Sequence, residues 1–196
     1  MKTLPLACAV ALALLITACT GGDTDWTGSN IEGVMSDLEF ELTSDTGEAV
    51  TEETYRGKAS LVFFGFMNCP DICPGTLQRL STAIDALPAD RQNDVQVLFV
   101  SVDPARDTPD ALNEYTGFFG PQFIGLTGTE SQLSDLVKRM RATYGYGEPD
   151  DNGNYSVSHS SAIYGFDSQG NAQVLMKSDQ PASDISHDIE RLLQRS

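Results

Sequence analysis

Hydrophobic positions in this chain recur at two spacings that alternate along the sequence. Near-continuous apolar runs at residues 59–66 and 95–102 predict strands that are buried on both faces of a sheet. Each run is followed by apolar residues three or four positions apart, the spacing of an amphipathic helix. Strands that alternate with helices in this way are typical of an α/β fold.

Local signals mark where the helices begin. They are a cap followed by proline at Thr108-Pro109, a capping box over residues 129–132, and a cap at Ser183 before the last helix. The first helix follows the strand at residues 59–66 and is expected to stop at Pro88. Four helices are therefore expected after residue 66.

Two hairpins are predicted at the ends of the domain. Residues 38–42 alternate apolar and acidic positions and lead into a turn at 44–47, which indicates a half-exposed strand. Residues 161–166 and 172–176 flank a second turn and predict a β-hairpin. The stretch 144–158, rich in Gly, Asp and Asn, is expected to be an exposed excursion. The whole pattern predicts an α/β sandwich.

The amino terminus has the features of an export signal. Lys2 precedes an apolar run that is too short for a membrane-spanning helix, and Leu15-Ile16-Thr17-Ala18-Cys19 resembles a bacterial lipobox. We expect residues 1–18 to be a lipoprotein signal peptide, with Cys19 as the lipidated first residue of a membrane-anchored, periplasm-facing protein of the cell envelope. A plain signal peptide cut near Ala18 is the alternative. Residues 19–36 are interpreted as a flexible tether and residues 37–196 as the folded domain.

The charge balance argues against nucleic acid as a partner. Twelve basic residues stand against 28 acidic ones, for a formal charge of −16. Such a surface repels phosphate backbones, so the acidic excess is interpreted as a solubility feature.

A pair of cysteines carries the chemistry. Cys69 and Cys73 are four residues apart, so they share one face of a helical turn and can bind one metal ion or form a disulfide. Pro74 suits the first helical position, which would aim the positive end of the helix at the sulfurs and favour thiolate. A soft-metal or redox site is predicted, and a purely structural disulfide is the alternative.

A third ligand must come from elsewhere in the chain. His159 precedes a predicted strand and is accessible, whereas His187 falls on the side of the last helix opposite its apolar residues. Two thiolates and one imidazole suit copper(I) or zinc, and copper(II) could add a water or carboxylate. Asp71 and Asp103 are the carboxylates nearest by sequence, although each also fits a capping role.

Several runs in this sequence resemble the Sco/SenC family. They are Phe64-Gly65-Phe66 through Cys69-Pro70-Asp71-Ile72-Cys73-Pro74, Ser101-Val102-Asp103-Pro104-Ala105-Arg106-Asp107-Thr108-Pro109, Phe123-Ile124-Gly125-Leu126-Thr127-Gly128 and His159-Ser160. The resemblance implies a thioredoxin-like, three-layer α/β/α sandwich with an N-terminal hairpin extension. It implies Cys69, Cys73 and His159 as copper ligands, and Asp103 as an acidic residue near the metal site.

By the same resemblance, the protein is expected to deliver copper to, or reduce thiols of, the dinuclear copper centre of cytochrome c oxidase subunit II. Other copper chaperones or thioredoxin-like reductases are further expected partners. One departure concerns the ligand histidine, because many family members have Asp where this chain has Ser158, which would weaken orientation of the imidazole.

Three other functions use the same residues. A thiol–disulfide oxidoreductase would cycle Cys69 and Cys73, but such enzymes generally carry Cys-x-x-Cys and a proline where this chain has His159-Ser160-Ser161. A peroxidase is disfavoured, because its reactive thiol needs no histidine across the site. An interaction module that keeps the disulfide for shape is the third option.

Overall fold

An eight-stranded mixed sheet forms the centre of the molecule. The computed structural model describes residues 25–195. The sheet strands are β1 (Ser29–Asn30), β2 (Glu41–Ser44), β3 (Ala49–Thr51), β4 (Ala59–Gly65), β5 (Val95–Ser101) and β6 (Phe123–Thr127), followed after a separate ribbon by β9 (Ile163–Phe166) and β10 (Ala172–Met176). Their spatial order is β1-β10-β9-β4-β5-β6-β2-β3, with β4, β5 and β6 parallel and the other pairs antiparallel. The buried runs are confirmed as the central strands.

Helices cover both faces of the sheet. They are α1 (Ile72–Asp85), α2 (Pro109–Gly117), α3 (Glu130–Arg139) and α4 (Ala182–Gln194). Apolar residues of α1, α2 and α4 pack on the face that holds Leu61 and Phe63, and those of α3 pack on the face that holds Val62 and Phe64. Successive side chains of a strand point to opposite faces, so β4 contributes to both cores. The predicted three-layer α/β/α sandwich is confirmed.

The N-terminal hairpin extension is also confirmed. Strands β2 and β3 pair antiparallel, and β2 continues the sheet beyond β6. The turn at residues 44–47 joins them, with Gly47 at a φ of 81° that glycine adopts without strain.

Part of the predicted tether is folded onto the domain. Strand β1 pairs with β10 at the far edge of the sheet, and Trp26 packs against the core beneath α4. The fully buried Asp188 accepts hydrogen bonds from the Thr27 and Gly28 backbone N–H groups at 2.7 and 2.9 Å. The prediction of a flexible tether up to residue 36 is therefore wrong for residues 26–31, because a short strand and a buried carboxylate hold them.

The predicted signal peptide and Cys19 lie outside the described residues.

Two predicted helix starts are displaced. Helix α1 begins at Ile72 with Asp71 as its N-cap residue, so Pro74 is the third residue of the first turn rather than the first. Proline fits there because the first-turn N–H groups have no intrahelical acceptor. Helix α4 begins at Ala182 after Pro181, so Ser183 lies inside the helix. The starts at Thr108 and Thr129 are confirmed, each with a side chain that caps the helix.

The expected excursion contains a two-stranded ribbon. Strands β7 (Tyr144–Tyr146) and β8 (Val157–His159) pair antiparallel, with Tyr144 opposite His159, outside the main sheet. Among residues 25–195, no helix combines the length and the apolar character needed to cross a bilayer.

Sheet topology brings distant segments to one edge. The loops after β4 and β5 leave from the carboxyl ends of parallel strands, so they lie side by side. Strand β9 runs antiparallel to β4, with Ile163 opposite Phe63. The residues just before β9 therefore arrive where β4 ends, and the chain between β8 and β9 meets the loop that carries Cys69.

Candidate metal centre

The two cysteines lie between the end of β4 and the first turn of α1. Cys69 is in the connecting loop, and Cys73 is the second residue of α1. Both are free thiols, 9% and 0% exposed. The Cys73 backbone N–H donates to Cys69 Sγ at 3.4 Å. The two cysteines therefore lie close together as predicted, but they do not share a helical turn, because Cys69 precedes the helix that begins at Ile72.

The predicted preference for thiolate is wrong for Cys73. Burial raises the pKa of the Cys73 thiol far above its ordinary value, and the neighbouring Cys69 and Asp107 raise it further. A hydrogen bond from the Phe66 backbone works in the opposite direction, but it does not compensate for the lost hydration. Cys73 is therefore a neutral thiol at neutral pH, because its full burial outweighs the field of the helix terminus.

His159 completes a group of three donors. It ends β8, and its Nε2 lies 3.4 Å from Cys73 Sγ. Its Nδ1 lies 3.0 Å from the Ser160 carbonyl oxygen, which can only accept, so the proton is on Nδ1. The lone pair on Nε2 therefore points at the sulfurs. The Ser160 carbonyl thus orients the imidazole, although Ser158 in place of the Asp of many family members was expected to weaken that orientation.

Two aromatic rings hold the imidazole from the side. Phe63 and Phe66 contact the His159 ring edge-to-face, with centroids at 6.1 and 5.8 Å. Gly65 lies between them in sequence, and its backbone passes close to the sulfur. A Cβ placed on Gly65 would be only 2.8 Å from Cys73 Sγ. The end of β4 therefore shapes the surroundings of both Cys73 and His159.

The three side chains form a compact donor set. The two sulfurs and a ring nitrogen of His159 all lie within 4.8 Å of one another. Two thiols that can lose protons and one neutral imidazole are soft-to-borderline ligands that suit copper(I), and also zinc when a fourth ligand is present. His187 lies elsewhere, where its Nε2 is 2.8 Å from the Asp25 carbonyl oxygen. The choice of His159 over His187 agrees with this geometry.

The two predicted carboxylates are not part of the donor set. Asp71 is exposed at the start of α1. Asp103 is fully buried, and its oxygens bond to Arg106 Nε at 2.5 Å and to the Tyr155 hydroxyl at 2.7 Å. Neither residue belongs to the cluster of possible ligands found in residues 25–195.

Sequence reasoning missed Asp107. Its Oδ2 accepts from the Met67 N–H at 3.0 Å and from the Ser101 hydroxyl at 2.6 Å, so it ties the cysteine loop to the end of β5. Burial raises its pKa, and its charge in turn raises the pKa of Cys73. The sequence did point to this region, because the run from Asp103 to Pro109 contains both Asp103 and Asp107. Only the fold shows that Asp107, and not Asp103, contacts the cysteine loop.

Tyr115 of α2 packs against the core that also contains Cys69 and Cys73. Its ring packs on Phe99 at 5.5 Å, and its hydroxyl is buried without a partner among the described residues. Burial raises the pKa of this hydroxyl, and charge on Cys73 or Cys69 would raise it further. A polar atom of α2 is therefore buried in the same core as the two cysteines.

Comparison with known proteins gives the family. The family model described as SCO1/SenC matches residues 30–194. The chain belongs to the SCO1/SenC family. A SCO2-like protein of Rickettsia conorii is 40% identical over 134 residues, covering 67% of this chain and 64% of that protein. Protein SenC of Rhodobacter capsulatus is 46% identical over 125 residues, covering 64% of this chain and 56% of that protein.

Solved SCO1/SenC structures share the fold. The copper-bound structure of Bradyrhizobium japonicum ScoI superposes with a TM-score of 0.72 at 31% identity, covering 80% of this chain and 99% of that one. The predicted thioredoxin-like architecture is thereby confirmed. The matches to the Rickettsia and Rhodobacter relatives span about three fifths of the length of each.

Proposed function

We propose that this protein is a copper metallochaperone that binds copper through Cys69, Cys73 and His159 and passes it to the dinuclear copper centre of cytochrome c oxidase subunit II. One observation carries the proposal: three soft-metal donors from three segments converge within 4.8 Å. The copper bound by the Bradyrhizobium relative and membership of the SCO1/SenC family support the choice of metal.

Cys73, His159 and the neighbouring phenylalanines contribute to copper binding in different ways. Cys73 is a neutral thiol in the metal-free protein, so copper(I) replaces its proton, which leaves to solvent. The His159 Nε2 atom already faces Cys73 Sγ at 3.4 Å, because the Ser160 carbonyl accepts a hydrogen bond from Nδ1. Phe63 and Phe66 limit rotation of the imidazole, so little freedom is lost on binding.

Copper transfer requires a coordination position on the metal that no residue of this protein occupies. Three protein donors leave a position for an incoming ligand, so a thiolate of the acceptor can bind copper before Cys69 or Cys73 leaves. Each exchange forms one copper–sulfur bond and breaks another, and the departing cysteine takes up a proton. Cys69 is the more exposed of the two residues, so we expect its sulfur to be replaced first.

A second function uses the same pair. The reduced pair could serve as a thiol–disulfide oxidoreductase that reduces a disulfide of the oxidase cysteines. Cys69 and Cys73 would then form a disulfide, the two electrons and two protons would pass to the substrate disulfide, which becomes two thiols, and the oxidised pair would no longer offer thiolates to a metal. The closeness of the two sulfurs, which lie within 4.8 Å of each other, favours this candidate, because a small movement would bring them to the bonding distance of a disulfide. Thioredoxin-like reductases and other copper chaperones are the corresponding partners.

The proposed location is the periplasmic side of a membrane, with Cys19 as a lipid anchor. A lipoprotein of the SCO1/SenC family is known from Bacillus anthracis, which supports this arrangement. Mass spectrometry of membrane-extracted protein tests it. A diacylated N-terminus at Cys19 is expected, and an unmodified mature N-terminus would exclude the anchor.

Copper titration of the reduced domain tests the ligand set. One equivalent of copper(I) is expected to bind, and affinity should fall at least tenfold in Cys69→Ser, Cys73→Ser and His159→Ala. His187→Ala is the matched control, because it removes the other histidine and should leave the affinity unchanged. Equal binding by wild type and His159→Ala would refute the proposal. High turnover of a protein disulfide with negligible copper affinity would favour the oxidoreductase.

A further inference from the structure

The ribbon that delivers His159 is fastened to the loop after β5. Tyr155 lies just before β8, and its hydroxyl donates to Asp103 Oδ1 at 2.7 Å. Arg106 donates to Asp103 Oδ2 through Nε at 2.5 Å and to the Tyr155 carbonyl through Nη1 at 3.2 Å. Its guanidinium also lies over the Tyr155 ring, 3.9 Å from the centroid. The three residues thus close a cycle of contacts between the two segments.

A neighbouring tyrosine strengthens the same junction. The Tyr146 hydroxyl donates to the Val102 carbonyl at 2.6 Å, and its ring contacts that of Tyr155 edge-to-face at 5.7 Å. Tyr146 belongs to β7 and Val102 follows β5. Both arms of the ribbon are therefore bonded to the chain segment at residues 102–106.

Burial gives these contacts their strength. Asp103 is fully buried, while the Arg106 side chain keeps 25% of its surface exposed. A buried carboxylate needs its partners, since losing one leaves charge without solvation. The hydrogen bond to Asp103 raises the pKa of the Tyr155 hydroxyl, so this group remains the donor at neutral pH.

The rest of the ribbon is held by side-chain packing, because Val157 contacts both cores and Tyr144 contacts the core that includes α3. Its two strands are three residues each, and they lie outside the eight-stranded sheet. At its base, the Ser160 N–H donates to the Thr143 carbonyl at 2.9 Å. Two strands this short are marginally stable by themselves, so their contacts with the rest of the domain decide how firmly they are held. Contacts along residues 146–155 therefore contribute, together with the packing of Tyr144 and Val157, to the position of His159 at the end of β8.

We propose that Asp103, Arg106 and Tyr155 form a latch that fixes the β7–β8 ribbon and so holds the His159 imidazole against the cysteine pair. The three are positioning residues: they act on the metal through the ribbon and not by binding it. Tyr155 is four residues from His159, which in extended chain is about 13 Å. The inference rests on the proposed function, because it assigns His159 as a ligand.

A double-mutant cycle separates the latch from general destabilisation. Tyr155→Phe removes the hydroxyl that bonds to Asp103 and keeps the ring under Arg106. We expect copper(I) affinity to fall on the order of tenfold, the usual worth of a hydrogen bond to a charged group. In a His159→Ala background the same change should cause no further loss. The disulfide reduction potential of Cys69 and Cys73 should stay the same in Tyr155→Phe.

A second measurement needs no copper. In the reduced, metal-free protein, amide hydrogen exchange of residues 157–160 should accelerate in Tyr155→Phe and in Asp103→Asn. Asp94→Asn is the matched control, because Arg91 and Asp94 form the same i,i+3 pair at 2.8 Å on an exposed site. It should change neither exchange at residues 157–160 nor copper affinity.

The outcomes distinguish the latch from the ligand assignment. If amide hydrogen exchange at residues 157–160 is unchanged in both Tyr155→Phe and Asp103→Asn, the latch is refuted, whatever the copper affinity of these variants. An equal loss of affinity by Tyr155→Phe with and without His159 also overturns it, because the effect then bypasses the imidazole. Copper affinity that survives His159→Ala refutes the ligand set instead, and accelerated exchange in the latch variants would still support the fastening of the ribbon.

Discussion

A methyl group added at Gly65 should disturb the metal centre directly. Gly65 ends β4, and a Cβ built there would lie 2.5 Å from Cε2 of Phe99 and 2.8 Å from Cys73 Sγ. Real Cβ atoms essentially never approach so closely. Gly65→Ala therefore forces the sulfur, the Phe99 ring or the end of the strand to move.

The size of the effect follows from these distances. Ordinary contact begins near 3.4 Å, so the sulfur alone would have to retreat by about 0.6 Å. Metal sites tolerate errors of only about 0.2 Å in ligand distance, so copper affinity should fall on the order of tenfold or more. Overpacking a well-packed core costs about 1–3 kcal/mol of unfolding free energy.

Gly75→Ala is the matched control. It lies two residues after Cys73 in α1, and a Cβ there meets nothing within 4 Å. Alanine in an exposed helical position should stabilise the fold by up to about 1 kcal/mol. Urea unfolding and copper(I) competition against a chelator measure both quantities. If Gly65→Ala binds copper with wild-type affinity, the backbone at Gly65 does not constrain the position of the Cys73 sulfur.

Three further predictions follow from buried polar groups. Asp107→Asn should lower the pKa of Cys73, since the neighbouring charge is gone, and Cys73 alkylation should then begin at lower pH; an unshifted profile would contradict this. Copper(I) affinity of the wild type should rise between about pH 6 and pH 8, because the proton on Cys73 is displaced more easily at higher pH. Competition titrations at several pH values measure this, and an affinity that does not change with pH would mean that binding releases no proton. Asp188→Ala removes acceptors for Thr27 and Gly28 and should cost about 1–3 kcal/mol in urea unfolding; a smaller loss would mean that the N-terminal segment contributes little.

The sequence by itself determined the central strands, the four helices and the character of the centre as a soft-metal or redox site. Apolar runs of seven or eight residues are long enough to indicate buried strands, and they did so for β4 and β5. Cysteines four residues apart predict neighbouring sulfurs, and the two do lie close together although Cys69 precedes the helix that begins at Ile72. The ribbon at residues 144–159 was missed, because a three-residue strand is too short to show a period.

Only the tertiary structure decided which distant groups meet and what state they are in. The antiparallel pairing of β9 with β4 brings His159 to Cys73, and no local pattern specifies that register. The same holds for Asp103 and Asp107, which are alike in sequence, although one fastens the ribbon and the other faces the cysteine loop. The protonation of Cys73 depends on how completely the folded chain removes water from the sulfur, a quantity set by packing from several elements.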